Sequence, residues 1–201
     1  MAISPPSGFS TLACIGMGVE LHSARLYLLS PPREHFDEDC SVLFSDGKTM
    51  NLLPSMNHLW SDTEMTERRN NQRVAQQEGK AFNFDIILQA TNQFIGVCGF
   101  RSMGDGEGEF GIILHASTHR TGLATEAHFL FLDYAMEHLQ LNKCIARTQS
   151  GNVAMINFFQ IYQIPCLREA DENGWITFGF DREMWYHNVR AKFESKLLNH
   201  A

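Results

Sequence analysis

"EFGIILHASTHRTGLATEAHFLFLDYAMEHL", residues 109–139, opens like a buried strand and closes like a long helix. Apolar residues run together through Ile112, Ile113 and Leu114. Further on, Leu123, Ala127, Leu130 and Tyr134 share one helical face, widened by Phe131 and Ala135. Between the two lies "HRTGLA", which puts Gly122 and Ala124 at the junction and Arg120 and Thr121 beside it. The first turn of a helix carries N–H groups with no partner inside the helix, and the macrodipole adds partial positive charge there. Small residues let an anion reach those amides, so the junction suits a phosphate-sized ligand. Glycine also occurs at such turns for backbone reasons alone, and the stretch matches neither the P-loop nor the GxGxxG pattern.

Around this stretch the pattern predicts a single α/β domain with a mixed sheet, in the order β α α β β β α β α β β. "ARLYLLSP" reads as a first strand after a loose tail over residues 1–22. "REHFDEDCSVLFSD" and "SDTEMTERRNNQRVAQQEGK" read as helices, the second capped by Ser61 or Asp62 and stopped at Gly79. "AFNFDIILQA", "QFIGVCGFRSM" and "EFGIILHAS" follow at short, turn-rich spacing as an antiparallel meander. "KCIART" is a strand, "NVAMINFFQIYQ" a helix, and "IPCLREA" with "GWITFGFD" a last hairpin. "MWYHNVRAKFESKLL" forms a closing helix.

The 201 residues are 44% apolar and 19% charged, an ordinary globular balance with room for one sizeable core. The fifteen Phe fit a well-filled core. A net charge of −7 argues against a nucleic-acid binder and is compatible with an amine-bearing partner. Five cysteines show no CxxC spacing, and Cys98 and Cys144 fall in apolar runs, as buried thiols of a reducing, cytoplasmic compartment do. No run of 18 apolar residues suggests a membrane span, and "STLACIGMGV" is a poor signal peptide. His115 and His119 lie on a strand end and a loop, which gives no shared face for a metal.

"EFGIILHASTHRTGLATEA", followed by "LNKCIARTQSGNVAMINFFQ", resembles the GNAT superfamily of acetyl-CoA-dependent N-acetyltransferases, and within it the RimJ/RimL branch. The similarity runs from about residue 23 to 185, tightest over Gly122–Ala127 and the Asn152 segment. The resemblance implies a sheet splayed at its centre with helices on both faces. Main chain of Ile112, Ile113 and Leu114 would follow the pantetheine arm of acetyl-CoA. Arg120, Thr121, Gly122, Leu123, Ala124 and Thr125 would cradle the diphosphate with their amides. The side chain of His119 could reach the same phosphates. Asn152 would hold the cofactor, a role compatible with capping its own helix.

Four positions depart from the family pattern. His119 replaces the usual Gln or Arg, and Arg120 stands where the branch commonly has Gly. Phe159 and Met155 fill places where many members carry a Tyr or Ser near the departing thiolate, and neither donates a proton. Tyr162, one turn on, is the substitute acid, with core packing as the alternative. Glu109 is the candidate base, and Glu107 the fallback.

The expected reaction is direct attack of a primary amine on acetyl-CoA in a ternary complex, without metal. The acceptor is a small amine or a protein N-terminus, and the linker "GKTMNLLPSMNHLW" walls its side or packs as a lid. A homodimer is left open. The rival is a degenerate GNAT domain that binds CoA or a protein without catalysis.

Overall fold

The computed structural model describes residues 10–14, 18–53 and 59–198. One sheet of nine strands runs through it, in spatial order β1-β2-β3-β4-β5-β6-β7-β9-β8. The strands are β1 (Ser10–Cys14), β2 (Gly18–His22), β3 (Leu26–Ser30), β4 (Phe82–Leu88), β5 (Gln93–Gly104), β6 (Glu107–Leu114), β7 (Lys143–Gln149), β8 (Cys166–Arg168) and β9 (Trp175–Asp181). The helices are α1 (Asp37–Ser45), α2 (Asp62–Gln77), α3 (Leu123–Glu137), α4 (Val153–Ile161), α5 (Arg182–Met184) and α6 (Arg190–Leu198). A π-helical turn, Trp185–Val189, joins the last two, so the expected closing helix is interrupted around the buried Trp185.

The sheet starts earlier than the loose tail expected over residues 1–22. Strand β2 pairs antiparallel with β3 and with β1, and Leu21 is buried against the main core. Residues 1–9 and 15–17 of that tail lie outside the described residues. The meander β4-β5-β6 and the hairpin β8-β9 form as the pattern predicts.

Alternation along the strands sends side chains to two cores, one on each face of the sheet. Phe84, Ile86, Phe100 and Phe110 meet α3, α4 and α6 on one face. Leu29, Ile87 and Phe94 meet Cys40, Phe44 and Met65 of α1 and α2 on the other. Helix α2 is polar, as expected, and begins with a capping box in which the Ser61 hydroxyl accepts from the Glu64 amide and the Ser61 amide donates to the Glu64 carboxylate. Met50 is fully buried in the second core, and Leu53 and Trp60 pack against it. The 47–60 linker is therefore a lid on the core over these residues; Met56 lies outside the described residues.

Among the described residues, strands β6 and β7 are the one parallel pair, and their contact is brief. Only Glu107, Gly108 and Glu109 register with Lys143, Cys144 and Ile145. Beyond that point β6 stays with β5 as far as Leu114, and β7 stays with β9 as far as Gln149. A bulge at Arg101 of β5 sits beside this divergence, where the register shifts between Phe100 and Ser102. Bulges bend a strand and increase its twist, which turns β6 away from β7 at that level. Phe110 pins the apex from the core side, with ring centroids 6.1–6.4 Å from those of Phe100, Phe131, Phe159 and Phe180. Truncating a ring so placed costs about 3–5 kcal/mol.

Two buried titratable groups flank the sheet with opposed effects. Burial raises Asp85 to about 6, only partly offset by the Arg33 amide that donates to its carboxylate at 2.7 Å. Burial lowers His128 to about 4, against the Ala124 carbonyl 2.7 Å from its Nδ1. Native Asp85 keeps a proton that the unfolded chain releases near 3.8, so stability falls as pH rises from about 4 to 6. The unfolded chain protonates His128 near 6.5 while the native ring refuses, so this term gains stability from about 4 to 6.5. Each is worth about 3 kcal/mol, and over most of the window they cancel. Asp85→Asn retains an acceptor for the Arg33 amide and unmasks the histidine. Its urea midpoint is expected to climb steeply from pH 4 to 6.5 while the parent stays nearly flat; parallel profiles would refute this.

Candidate active site

The splay exposes main chain. The His115 amide donates to the Ile95 carbonyl at 2.9 Å, and hydrogen-bonded pairs recur at every second residue of an antiparallel ladder. Ile113 and Gly111 therefore turn their amides and carbonyls to β5, whereas Ile112 and Leu114 turn theirs into the gap beside β7. The Leu114 carbonyl bears this out, since it meets His119 Nε2 at 3.1 Å across the mouth of the gap. Of the three strand residues expected along a pantetheine arm, Ile112 and Leu114 turn main chain into the gap. Ile113 does not, because its main chain is spent on β5 and its side chain packs with the second core.

Past β6, a single 3-10 turn (Ala116–Thr118) leads into the 119–122 loop. Arg120 has φ +63° and Gly122 φ +82°, both in the left-handed region, with Thr121 between them. Gly122 is the N-cap of α3 and offers no side chain to its first turn, unlike Ser61 of α2 and Asn152 of α4. The first intrahelical return is from the Glu126 amide to the Gly122 carbonyl, at 3.2 Å. The amides of Leu123, Ala124 and Thr125 thus stand at the start of a fifteen-residue helix without a capping side chain. Main-chain donors, a helix dipole and nearby Arg120 together make an anion cradle, and a diphosphate fits its chemistry.

Side chains around the cradle are engaged with the protein. Thr121 Oγ1 donates to the Thr118 carbonyl at 2.6 Å, and Thr125 Oγ1 lies 2.8 Å from Tyr162 Oη. His115 Nδ1 meets Ser117 Oγ at 2.7 Å, and His119 is turned to Leu114. Asn152 caps α4, its Oδ1 accepting from the Met155 amide at 3.2 Å. The Thr49 hydroxyl accepts from the Ala116 amide at 3.0 Å, which ties the linker after α1 to this loop.

Arg120 in a left-handed conformation costs about 1 kcal/mol that glycine would avoid. Arg120→Gly therefore separates backbone from charge. Stability is expected to hold or rise, while acetyl-CoA affinity falls about fivefold, the worth of an exposed ion pair, and less so in high salt. Calorimetry at two ionic strengths reads both effects.

At the apex, Glu109 is the last β6 residue registered with β7. Its side chain shares a face with Gly111 and Ile113, toward α1 and α2, and pairs at 2.5 Å with Arg101 of the bulge. Glu107 lies on the same face and pairs with Lys143 at 2.6 Å. A shallow hollow of about 250 Å³ opens here, lined by Ser102, Asp105, Glu107, Glu109 and Ile145. Gly111 is exposed, and a β-carbon built on it would meet nothing within 4 Å.

The three positions weighed for an acid, Met155, Phe159 and Tyr162, belong to the opposite face. Phe159 is fully buried, stacked on Phe178 at 4.5 Å, and Met155 packs against the main core. Tyr162 is buried, its ring stacked on Phe193 at 4.0 Å. Burial raises its hydroxyl above the usual phenol range. The Cys98 and Cys144 thiols are pushed up by burial as well, which disqualifies them as nucleophiles.

One part of the site was missed in the sequence. Glu126 is buried at the start of α3 and held by Ser23 and Arg25. The signal was present: a carboxylate three residues after Leu123, on the apolar stripe, demands a partner.

The sheet is thus opened between two parallel strands, with an uncapped helix start at its mouth. The acetyltransferase (GNAT) domain model matches residues 25–161. An N-acetyltransferase from Bacillus licheniformis, p20, is 30% identical over 160 residues, covering 76% of this chain and 87% of the relative. The chain belongs to the GNAT acetyltransferase family. Among solved structures, Mycobacterium smegmatis RimJ in complex with CoA-disulfide has the same fold, with TM-score 0.69, 16% identity and 95% of each chain covered. Vibrio cholerae spermidine N-acetyltransferase, in complex with CoA and spermine, aligns at TM-score 0.71 and 15% identity, over 82% of this chain and 100% of that one.

Proposed function

We propose that the chain transfers the acetyl group of acetyl-CoA to a primary amine by direct attack in a ternary complex. The observation that carries this reading is the gap beyond Glu109 and Ile145, where the main chain of Ile112 and Leu114 leads to the uncapped start of α3. The diphosphate rests on the amides from Arg120 through Thr125, and the arm follows Ile112 and Leu114 inward. His119 stands at the mouth of the gap, and Asn152 flanks it from α4.

The acceptor comes from the α1–α2 face, through the hollow at the β5–β6 hairpin. Its amine, once neutral, attacks the thioester carbonyl carbon while Glu109 takes the departing proton, directly or through water. The tetrahedral oxyanion is stabilised by main-chain N–H groups, and its collapse expels the CoA thiolate. Tyr162, bound to Thr125, serves packing in this scheme, and the thiolate leaves without a side-chain acid. Holding two reactants in register supplies much of the acceleration. Asp105, Glu107 and Glu109 around the hollow favour a cationic amine, whether small or the N-terminus of a protein.

Phe159 and Met155, without a proton to give, support a second reading, a CoA-binding module that does not turn over. Calorimetry with acetyl-CoA tests both readings, since absence of binding to folded protein rejects them. Thiol release over a panel of amines and peptide N-termini separates them, with turnover of any acceptor expected.

A further inference from the structure

We propose that Arg25 is a positioning residue for the diphosphate cradle, acting through the Thr121 carbonyl and the buried Glu126 carboxylate; this rests on the acetyl-CoA reading above. Arg25 lies 101 residues before Glu126, in the turn between β2 and β3. Its Nη1 donates to the Thr121 carbonyl at 2.8 Å. Its Nε donates to Glu126 Oε2 at 2.8 Å, with Nη2 2.7 Å from the same oxygen. Glu126 Oε1 accepts from the Arg25 amide at 2.8 Å and from the Ser23 hydroxyl at 2.5 Å.

Two consequences follow. In a trans peptide the carbonyl of one residue and the amide of the next point in opposite directions. Anchoring the Thr121 carbonyl on Arg25 therefore aims the Gly122 amide away from Arg25. That orientation matters because Gly122, at φ +82°, has no β-carbon to restrict rotation of the Thr121–Gly122 peptide, so an outside anchor fixes it. The second consequence is electrostatic. Glu126 places a buried negative charge at the helix end where an anion is to bind, and the guanidinium neutralises it. Lysine would not replace this arginine, since a single ammonium does not span the carboxylate and the Thr121 carbonyl with the geometry of a planar fork.

The test compares CoA with pantetheine, which lacks the diphosphate and nucleotide, by calorimetry on the full chain. Arg25→Ala is expected to reduce the affinity ratio of CoA over pantetheine about tenfold, as loss of a charge-supported contact does. Arg25→Lys is expected to lower it by about threefold or more, and this variant carries the test if the alanine protein does not fold. A purely structural role would weaken both ligands alike, and an unchanged ratio in a folded variant overturns the proposal. Failure of the parent protein to bind CoA at all would instead reject the acetyl-CoA reading, and this inference with it.

Discussion

Glu109→Gln is expected to lower kcat about 100-fold, the usual worth of a positioned base, while acetyl-CoA affinity is unaffected. Glutamine matches the carboxylate in size and still accepts the Arg101 hydrogen bond, so the bulge and the parallel register at Ile145 persist. What is lost is the capacity to take the ammonium proton. Stopped-time thiol release at saturating donor and amine, over a pH series, reads the effect. The deficit is expected to shrink as pH rises toward the amine's own ionisation, because solvent then supplies neutral nucleophile. A variant with the parent's kcat at every pH would remove Glu109 from the mechanism and shift the role to Glu107, on the same face.

Gly111→Trp is expected to cost still more in acceptor use, with kcat/KM for the amine falling by about 100-fold or more through loss of attack geometry. Gly111 adopts no left-handed backbone angle, and a β-carbon added there meets nothing within 4 Å, so the backbone accepts a side chain at this position. It lies between Glu109 and Ile113 on the face toward α1 and α2, next to the divergence of the strands. In the proposed reading the donor is instead held by main chain of Ile112 and Leu114, whose side chains lie on the other face, and by the α3 amides. Calorimetry with acetyl-CoA is therefore expected to match the parent, as is the thermal midpoint. Full activity in the variant would mean that the amine arrives from another side.

How far these features could be read without coordinates varies with the range of the interactions. Strand β6 and helices α3 and α4 were legible because a period of two or of 3.6 is written in adjacent residues, as in Ile112–Leu114 and Leu123, Ala127, Leu130. The junction at Gly122 was legible from its small residues. The hairpin β1-β2 was not, since each of its strands is only five residues long and β2 takes its place by pairing with β3. Divergence of β6 from β7 came from resemblance rather than pattern. It depends on partner choice and on the bulge at Arg101, and register across a sheet leaves no local trace. Arg25 looked like any charge at a strand entrance, and only folding brings it to Thr121 and Glu126. The contact of His119 with the Leu114 carbonyl, five residues back, was likewise not visible in the sequence.

Strand rims in other proteins are outward liabilities that recruit foreign chains. This molecule carries such a rim in its interior, along Ile112 and Leu114, under the cover of α3 and α4. On the function proposed, a visitor bearing amides of its own would stitch the wedge shut in the manner of an added strand. The loaded molecule would then be the stiffer one, and letting the spent thiol go would require tearing that seam open again.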